Sequence, residues 1–547
     1  PASVTGIGQD AFMDCTNLSA IYNNSDLPLS IGSDEYGKIA KHAKIIVDKE
    51  GNKIYKDELS GFEFIETEDG FRFLKEHGEY SLIAYFGEEK TVTLPPEICE
   101  SSYRIYKMKG VENVIVPEGI TTIGDDAFMH CSALRSIIIP DSVEMPKTVL
   151  HTAPNSVRIY TLPTNDFEVV RFTFIFRAGT SMQHKPFTAS ATANMLGEGS
   201  SNLTAQQIAE TLDYYGSYFD VNIDRDYAYI SFCSLSKFFE ATADVASEII
   251  LHPSFPEREL EVYRSKRKQS LKVERRKVDV QSRELFAEAL FGKSHPYGIS
   301  ANEELYDELT SDDLKGLYRE LYTAENCFMV CSGRIDDGVL TRLETMAMQL
   351  NHGSCPEVAF PPMQTTPTLH RDIDTALQSS IRIGRLLFQR THPDFVGMQV
   401  VAATLGGYFG SRLMQNLREE HGYTYGVMSA MVNFERAGYL AIATQVAREH
   451  CDDALREIYS EIERLRCELI SEDELQMVKN VMIGEILRIL DGPFGIADVT
   501  IENIMCGYDN SATERSVAEI FAITPERVRE LACRYLERDD LIEVTVM

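Results

Sequence analysis

The stretch GGYFGSRLMQNLREEHGYTYGV, residues 406–427, contains a turn, a helix and the start of a strand. SRLMQNLREE predicts a helix that is closed by Arg418, and Gly422 then turns the chain, as glycine commonly does after a helix. Tyr425 opens the strand that follows. The glycine-rich turn in front of this helix joins it to a second, apolar helix with the sequence FVGMQVVAATLGG.

The elements around this stretch occur twice in the chain, in the same order. In the earlier copy, the strands SVRIYTL and VVRFTFIFRAG precede the helix LTAQQIAETLDYYG and the hairpin YFDVNIDRDYAYISFCSL. Leu203, Ile208 and Leu212 form the apolar stripe of that helix. In the later copy, SSIRIGRLLF precedes the quoted stretch, and the hairpin YGVMSAMVNFERAGYLAIATQV follows it. We therefore expect an α+β fold with two similar domains, residues 149–354 and 371–547, connected by the proline-rich linker 355–370.

A different pattern fills residues 1–147. PASVTGIGQDAFMDCTNLSAI at the start returns as PEGITTIGDDAFMHCSALRSI at residues 117–137, which places Cys15 and Cys131 on equivalent rungs of a solenoid. Alternating apolar and polar residues predict a β-rich interruption at about residues 22–95. The motif IG-x-x-AF-x-x-C-x-x-L resembles the BspA-like leucine-rich repeats. That resemblance implies a surface for contact with another protein and an envelope or extracellular setting; a passive spacer and a cytoplasmic location stay open.

Composition limits the classes of partner. The formal net charge of −31 argues against nucleic-acid binding, which requires basic patches that displace counterions. The 11 cysteines are scattered and no C-x-x-C occurs, so we predict neither a zinc ribbon nor a disulfide framework. No apolar run reaches the roughly 18 residues that a membrane span needs, and we expect no membrane insertion.

The duplicated region resembles the insulinase/pitrilysin-type (inverzincin) zinc peptidases. FRAGTS, LTAQQIAETLDYYGSYFDV, FPERELE, ALFGKSHPYG and the stretch at residues 406–427 occur in the order typical of that family. The resemblance covers roughly residues 149–547 and implies two α+β domains, each a sheet backed by helices. The duplicated region is similar in particular to the two-subunit members of the family, which are of the mitochondrial-processing-peptidase type.

The family's zinc motif is degenerate in this chain. In the family, a helix before ML-x-x-G carries H-x-x-E-H, whose histidines bind zinc and whose glutamate acts as general base. The matching residues here are Ser190, Ala193 and Asn194. A glutamate about 75 residues later should supply the third ligand, but Gln269 and Ser270 stand there, and the nearest carboxylate is Glu274. The sequence therefore predicts that this chain holds no metal.

The second half keeps an arginine–tyrosine pair. In two-subunit members of the family, one subunit carries zinc and the other carries this pair, so the resemblance implies that Arg418 and Tyr425 reach a shared chamber next to the partner's zinc. A guanidinium offers a fork of donors to a peptide carbonyl or carboxylate, and a phenol can donate to a developing oxyanion. The alternative is structural, with Arg418 stabilising its own helix end and Tyr425 as a strand aromatic. His421, between them, is a weaker candidate.

Two further features leave alternatives open. Gly406, Gly407 and Gly410 form a short glycine-rich loop, which is either a tight turn between helices or a substrate-guiding loop like the longer one in the non-catalytic family subunit. The sequence RSKRKQSLKVERRK, residues 264–277, is basic in an acidic chain. It is either a solvated helix face or a surface that meets an acidic partner.

Three functions are consistent with these patterns. The first is a non-catalytic, substrate-binding subunit of a heterodimeric zinc metallopeptidase, whose partner supplies H-x-x-E-H and whose substrate is a peptide or unfolded protein. The second is a binding or scaffold protein that uses the fold without proteolysis, with contacts through the repeats. The third is a divergent but active metallopeptidase.

Overall fold

The computed structural model describes most of the chain. The described residues are 5–7, 11, 20–56, 63–94, 111, 113–115, 136–138, 148–164, 167–300, 302–354, 356, 360–374, 376–490 and 492–547, without residues 32, 50, 68, 77, 78 and 88. They form two compact units, one of Pro1–Glu144 with Ile483–Asp491 and one of Met145–Met482 with Gly492–Met547. The repeat motifs around Cys15 and Cys131 lie outside the described residues.

The first unit contains two small sheets. Strands β1 to β6 form a six-stranded sheet in chain order, in which β1 and β2 are parallel and the later pairs antiparallel; they are Ala20–Tyr22, Ile45–Val47, Lys53–Lys56, Glu63–Glu66, Phe71–Glu76 and Glu79–Tyr85. Strands β7 (Thr91–Thr93), β8 (Asn113–Ile115) and β9 (Ser136–Ile138) form a parallel ladder. Parallel stacking of short, evenly spaced strands is the arrangement that a solenoid produces, because each repeat adds one strand to its neighbour.

The first half of the second unit is a six-stranded sheet with helices. Its strands are β10 (Val149–Thr152), β11 (Arg158–Pro163), β12 (Val169–Phe176), β13 (Tyr218–Ile223), β14 (Ala228–Leu235) and β15 (Cys327–Gly333), in the order β10-β11-β15-β12-β14-β13. Its helices are α1 (Thr188–Met195), α2 (Ala205–Tyr215), α3 (Phe239–Leu251), α4 (Glu257–Glu274), α5 (Val278–Phe291), α6 (Ser311–Leu321) and α7 (Asp337–Met348).

The second half repeats this plan. Its strands are β16 (Thr368–Arg371), β17 (Gln378–Leu387), β18 (Val427–Asn433), β19 (Gly438–Ala447) and β20 (Ile542–Val546), in the order β16-β20-β17-β19-β18. Its helices are α8 (Phe395–Gly406), α9 (Cys451–Cys467), α10 (Glu472–Ile489), α11 (Gly492–Met505), α12 (Ser511–Ala522) and α13 (Pro525–Tyr535), with a π-helical segment at Met414–Glu420. In the first sheet, β15 is parallel to β11 and antiparallel to β12. In the second sheet, β20 is parallel to β16 and antiparallel to β17. The two halves therefore have the same topology, apart from the extra edge strand β10.

Local sequence sets the helix ends. Thr204 and Gln207 form a capping box that starts α2, and Gly216 ends this helix in a left-handed conformation with φ 61°. Ile208 and Leu212 of the predicted stripe are buried in the core, whereas Leu203 precedes the helix and only packs against that core. Among the described residues, no helix combines the length and apolar character needed to cross a bilayer.

Each half covers the sheet of the other with one helix. Helix α5, from the first half, packs against β17 and β20, and Ser282 Oγ lies 2.7 Å from Ser380 Oγ in the buried contact. Helix α11, from the second half, packs against β15, where Ala497 and Ile501 are buried with Val330. The apolar faces of both sheets are buried only when these helices pack on them. The two halves therefore stabilise one another.

The turns of the two hairpins also join. Asp226, buried in the turn between β13 and β14, accepts hydrogen bonds from Tyr297 Oη at 2.6 Å and from the backbone nitrogen of Glu435 at 2.8 Å. Glu435 lies in the corresponding turn between β18 and β19, and its carboxylate pairs with Arg177 at 2.6 Å. A buried carboxylate with several donors therefore fixes the angle between the two halves.

The start of α8 is anchored by a buried acid. Asp394, whose side chain is 6% exposed, pairs with Arg527 and with Arg534 at 3.0 Å and accepts a hydrogen bond from Tyr535 Oη at 2.5 Å. Burial alone would raise the pKa of Asp394, but the tyrosine hydrogen bond and the two guanidinium charges outweigh it and lower this pKa below its ordinary value.

We expect Asp394→Asn to destabilise the fold by about 2 kcal/mol at neutral pH, because two partly exposed arginines lose a buried counter-charge. A lowered folded-state pKa means that this contribution is complete above the unfolded-state pKa of about 4 and disappears as the pH falls through the folded-state value. Urea unfolding of both proteins at pH 7 and at pH 3 measures this. Asp372→Asn, which removes an exposed carboxylate paired with Arg448, is the control and should cost less than about 0.5 kcal/mol. Equal losses for the two variants would contradict the anchoring role.

Candidate functional site

The degenerate zinc motif lies on α1, in the core of the first half. Ala193 is fully buried, and Ser190 and Asn194 are partly buried on the same helix. Asn194 Nδ2 donates to the backbone oxygen of Ser190 at 2.7 Å, and Asn194 Oδ1 accepts from the guanidinium of Arg267 at 3.5 Å. The two functional groups of the asparagine are therefore directed to protein partners, and one of these partners is a cation.

The expected third ligand does not complete a site. Ser270 Oγ donates to Glu274 at 3.2 Å, so the serine hydroxyl and the nearest carboxylate are engaged with each other. Gln269 is two residues from Arg267, which places it about 200° around α4 from the side that meets Asn194.

These residues do not fit zinc. A buried alanine offers no donor, amide and hydroxyl oxygens are poor zinc ligands, and the Arg267 guanidinium next to Asn194 repels a second cation. Within the described part of the chain, no group of three or more histidine, cysteine, aspartate or glutamate side chains is arranged to hold a metal ion.

Arg418 lies on the π-helical segment Met414–Glu420, where the sequence pattern predicts an ordinary helix. The backbone nitrogen of His421 bonds to the oxygen of Asn416, five residues earlier, which is the spacing of a π-helix. The Arg418 guanidinium stacks 4.5 Å from the ring of Phe409, and its side chain is 35% exposed. Its only close carboxylate among the described residues is that of the neighbouring Glu419, at 3.5 Å. Arg418 therefore lies in the last turn of this segment, stacked on an exposed ring and partly open to solvent.

Buried polar contacts hold this segment in place. Asn416 donates to Glu457 and to the buried Glu461, both at 3.1 Å, which ties the segment to α9. Arg412 forms a two-pronged pair with Glu474 of α10 at 2.6 and 2.9 Å. Because such bidentate pairs restrict rotation, Arg418 is presented from a rigid support.

Tyr425 lies in the loop before β18 and not in the strand, which begins at Val427. The prediction that Tyr425 opens the strand is therefore wrong, and so is its alternative as a strand aromatic. Thr424 fixes the loop, because its hydroxyl lies 2.8 Å from the backbone oxygen of Gln445 and 2.9 Å from that of Gly426, donates to one of them, and accepts a hydrogen bond from Thr444 at 3.0 Å. The neighbouring Tyr425 side chain is 93% exposed.

The glycine-rich loop is a tight turn that sets the position of Phe409. A Cβ atom on Gly406 would lie 2.8 Å from the backbone nitrogen of Ser429, and one on Gly407 would lie 2.5 Å from Ala403 Cα. At Gly410 the close atom would belong to the Tyr408 ring, at 2.9 Å. The loop packs closely because these residues lack side chains, and it leaves Phe409 62% exposed beneath Arg418.

His421 has a structural position. Its Nδ1 lies 3.0 Å from the backbone oxygen of Asn416, and its ring stacks on Tyr423, which in turn stacks on His450 with ring centroids 4.6 Å apart. Gly422 follows in a left-handed conformation with φ 66° and allows the turn. Sequence reasoning did not single out Phe409, Asn416 or Thr424, because their roles depend on partners outside the motif.

Two family models match the chain. Residues 308–482 match the model described as peptidase M16 inactive domain, and residues 1–80 and 85–175 match the BspA type leucine-rich repeat region in six copies. The first match includes Arg418 and Tyr425 but not the positions of the degenerate zinc motif. The repeat match extends through the β-rich part of the first unit and ends within β12.

Relatives and a solved structure agree with these matches. An uncharacterized zinc protease of Bacillus subtilis, YmxG, is 23% identical over 63% of this chain and 85% of its own length. The beta subunit of the mitochondrial-processing peptidase of Caenorhabditis elegans is 21% identical over 75% of this chain and 91% of its own. A crystal structure of a peptidase M16 inactive domain from Pseudomonas fluorescens superposes with a TM-score of 0.65 at 21% identity and covers 73% of this chain and 98% of that one. This chain therefore carries regions that match the BspA-type leucine-rich repeats and the peptidase M16 inactive domain, and its duplicated part has the insulinase-like M16 fold.

Proposed function

We propose that this chain is the non-catalytic, substrate-binding subunit of a heterodimeric zinc metallopeptidase. Its partner, of the same fold family, carries H-x-x-E-H and holds the zinc, and this chain completes the chamber that binds a peptide or unfolded protein. Two features support the proposal. The residues around Ala193 are unsuited to zinc, and the second half presents Arg418 and Tyr425 as a binding pair.

The observation that carries the proposal is the exposure of Tyr425 on a fixed loop. A tyrosine that is 93% exposed contributes little to its own fold, yet the Thr424 hydrogen bonds hold its backbone in one conformation. Phe409 and Arg418 add an exposed aromatic ring and a half-exposed guanidinium on an equally fixed support. Rigid aromatic and arginine side chains on a surface are characteristic of binding sites.

The pair has the chemistry for peptide recognition. The Arg418 fork can donate two parallel hydrogen bonds to a backbone carbonyl or a carboxylate. The Tyr425 hydroxyl can donate one hydrogen bond, which gains strength as a peptide carbonyl becomes an oxyanion. The name of the nematode relative describes it as one subunit of a processing peptidase, and this supports a role in a two-subunit enzyme.

A second candidate is a binding protein without proteolysis. The BspA-type repeats support it, since stacked repeats form extended surfaces for protein contact. They also favour an envelope or extracellular location. Co-purification from the source organism separates the two functions: a zinc-carrying family member in the complex supports the peptidase subunit, and only unrelated proteins support the scaffold.

We expect the purified chain to contain much less than one equivalent of zinc and to cleave no peptide alone, because Ala193 offers no base and Arg267 repels a metal at Asn194. Elemental analysis and a fluorogenic peptide assay measure this, with an H-x-x-E-H family member as positive control. One equivalent of zinc, together with activity that a chelator abolishes, would support a divergent active peptidase instead.

Tyr425→Phe should lower the kcat of the reconstituted heterodimer about 100-fold with little change in KM, since it removes one transition-state donor and keeps the ring. Tyr423→Phe is the matched control, because it removes a hydroxyl two residues away from a ring that stays stacked on His450. Steady-state kinetics with size-exclusion analysis of assembly provide the readout. Equal kcat values for wild type and Tyr425→Phe would assign the tyrosine to another role.

Arg418→Ala should raise KM about tenfold or more and affect kcat less, because a charged hydrogen bond to the peptide backbone stabilises ground and transition states alike. Arg448→Ala, which removes an arginine paired with Asp372 on the same half, is the control and should leave KM unchanged. The heterodimer should assemble with either variant. Wild-type KM for Arg418→Ala in an assembled complex would favour the scaffold function.

A further inference from the structure

Helix α4 presents a stripe of exposed cations and valines. Arg258, Val262, Lys266, Lys272 and Val273 are all exposed, and steps of three or four residues that pass through Gln269 place them on one face of the helix. The two valines are 43% and 53% exposed. Gln269 lies on the same face, so over about 24 Å of helix this stripe contains basic, apolar and neutral side chains.

The other basic residues of α4 already have partners in the chain. Arg264 pairs with Glu257 at 3.0 Å, and Lys268 pairs with Asp307. Arg275, just after the helix, pairs with Glu284 and Glu303, both at 3.2 Å. The cations of α4 are therefore divided between a side that is paired with the fold and a side that faces outward.

The cations of the stripe have no such partners. Arg258, Lys266 and Lys272 make no hydrogen bond or ion pair with any described residue, and Lys266 acts on Glu198 only through longer-range attraction. This is unexpected by charge alone, because the chain has 84 acidic residues against 53 basic ones. A local positive stripe on an acidic protein attracts negatively charged surfaces and repels positively charged ones.

We propose that this stripe of α4 is a docking surface for an acidic amphipathic helix of another protein. Such a helix can place glutamates at four-residue intervals opposite Arg258, Lys266 and Lys272, and apolar residues on Val262 and Val273. The inference does not depend on the proposed peptidase role, since it concerns the outer face of α4 and not the side that meets α1.

The chemistry disfavours other occupants. Nucleic acid binds through many phosphate contacts, and the three cations of this stripe supply few of them. An anionic membrane gains attraction from each cation, but two separated valines give little apolar surface for insertion. A surface of this size is small for a stable complex, so we expect weak, salt-sensitive binding.

The test uses the full chain and a fluorescein-labelled helical peptide with glutamates at four-residue intervals and leucines on one face. Fluorescence anisotropy should show binding at low salt that weakens as salt rises. The triple variant R258E/K266E/K272E should bind at least about tenfold more weakly, because each exposed ion pair contributes up to roughly fivefold and reversal adds repulsion. These side chains touch no described partner, so the variant should fold normally, which circular dichroism checks.

The control variant is K315E/R319E/R529E, which changes the net charge by the same amount on α6 and α13. It should bind the peptide within about twofold of wild type. Equal weakening in both variants, or no peptide binding at low salt, would overturn the proposal. So would preferential binding of phosphatidylserine-containing vesicles or of duplex DNA, or self-association of the chain, if the α4 variant abolishes it.

Discussion

The exchange of α5 and α11 between the two halves is the packing on which the rest of the second unit depends. Each helix precedes the last strand of its own sheet in the chain but covers the sheet of the other half, with Ser282 against Ser380 and Ile501 against Val330. Neither sheet is shielded from water on both faces without its neighbour. Each half therefore needs the structure of the other, and this includes the core around Ala193 in the first half.

The degenerate centre shows how one cation can take the place of another. Asn194 still directs its side chain between α1 and α4, but the charge that it meets is the Arg267 guanidinium. That arrangement satisfies a partly buried amide and ties the two helices together by a hydrogen bond. It also disfavours a metal ion at this position, because the metal would lie next to the positive charge of Arg267.

In the second half, close packing and hydrogen bonds fix the backbone beneath the surface that carries Arg418 and Tyr425. Gly406 allows α8 to approach β18, Asn416 joins the π-helical segment to α9, and Thr424 fixes the following loop. Together they hold the backbone that carries the exposed Phe409 and Tyr425 and the partly exposed Arg418. Fixed, exposed side chains lose little conformational entropy when a ligand binds, which is the physical reason that such surfaces bind well.

The sequence by itself determined the duplicated α+β plan and the repeats, because periodicity and glycine stops are local properties. It also located Arg418 and Tyr425 through their family motif. It could not determine the π-helical geometry at Arg418, the loop position of Tyr425 or the structural role of His421, which depend on hydrogen bonds to Asn416, Thr424 and distant strands. The helix exchange, the Arg267 contact and the outward cation stripe of α4 were likewise decided only by tertiary structure, since side chains far apart in the chain compete for the same partners and only the folded arrangement determines which pairs form.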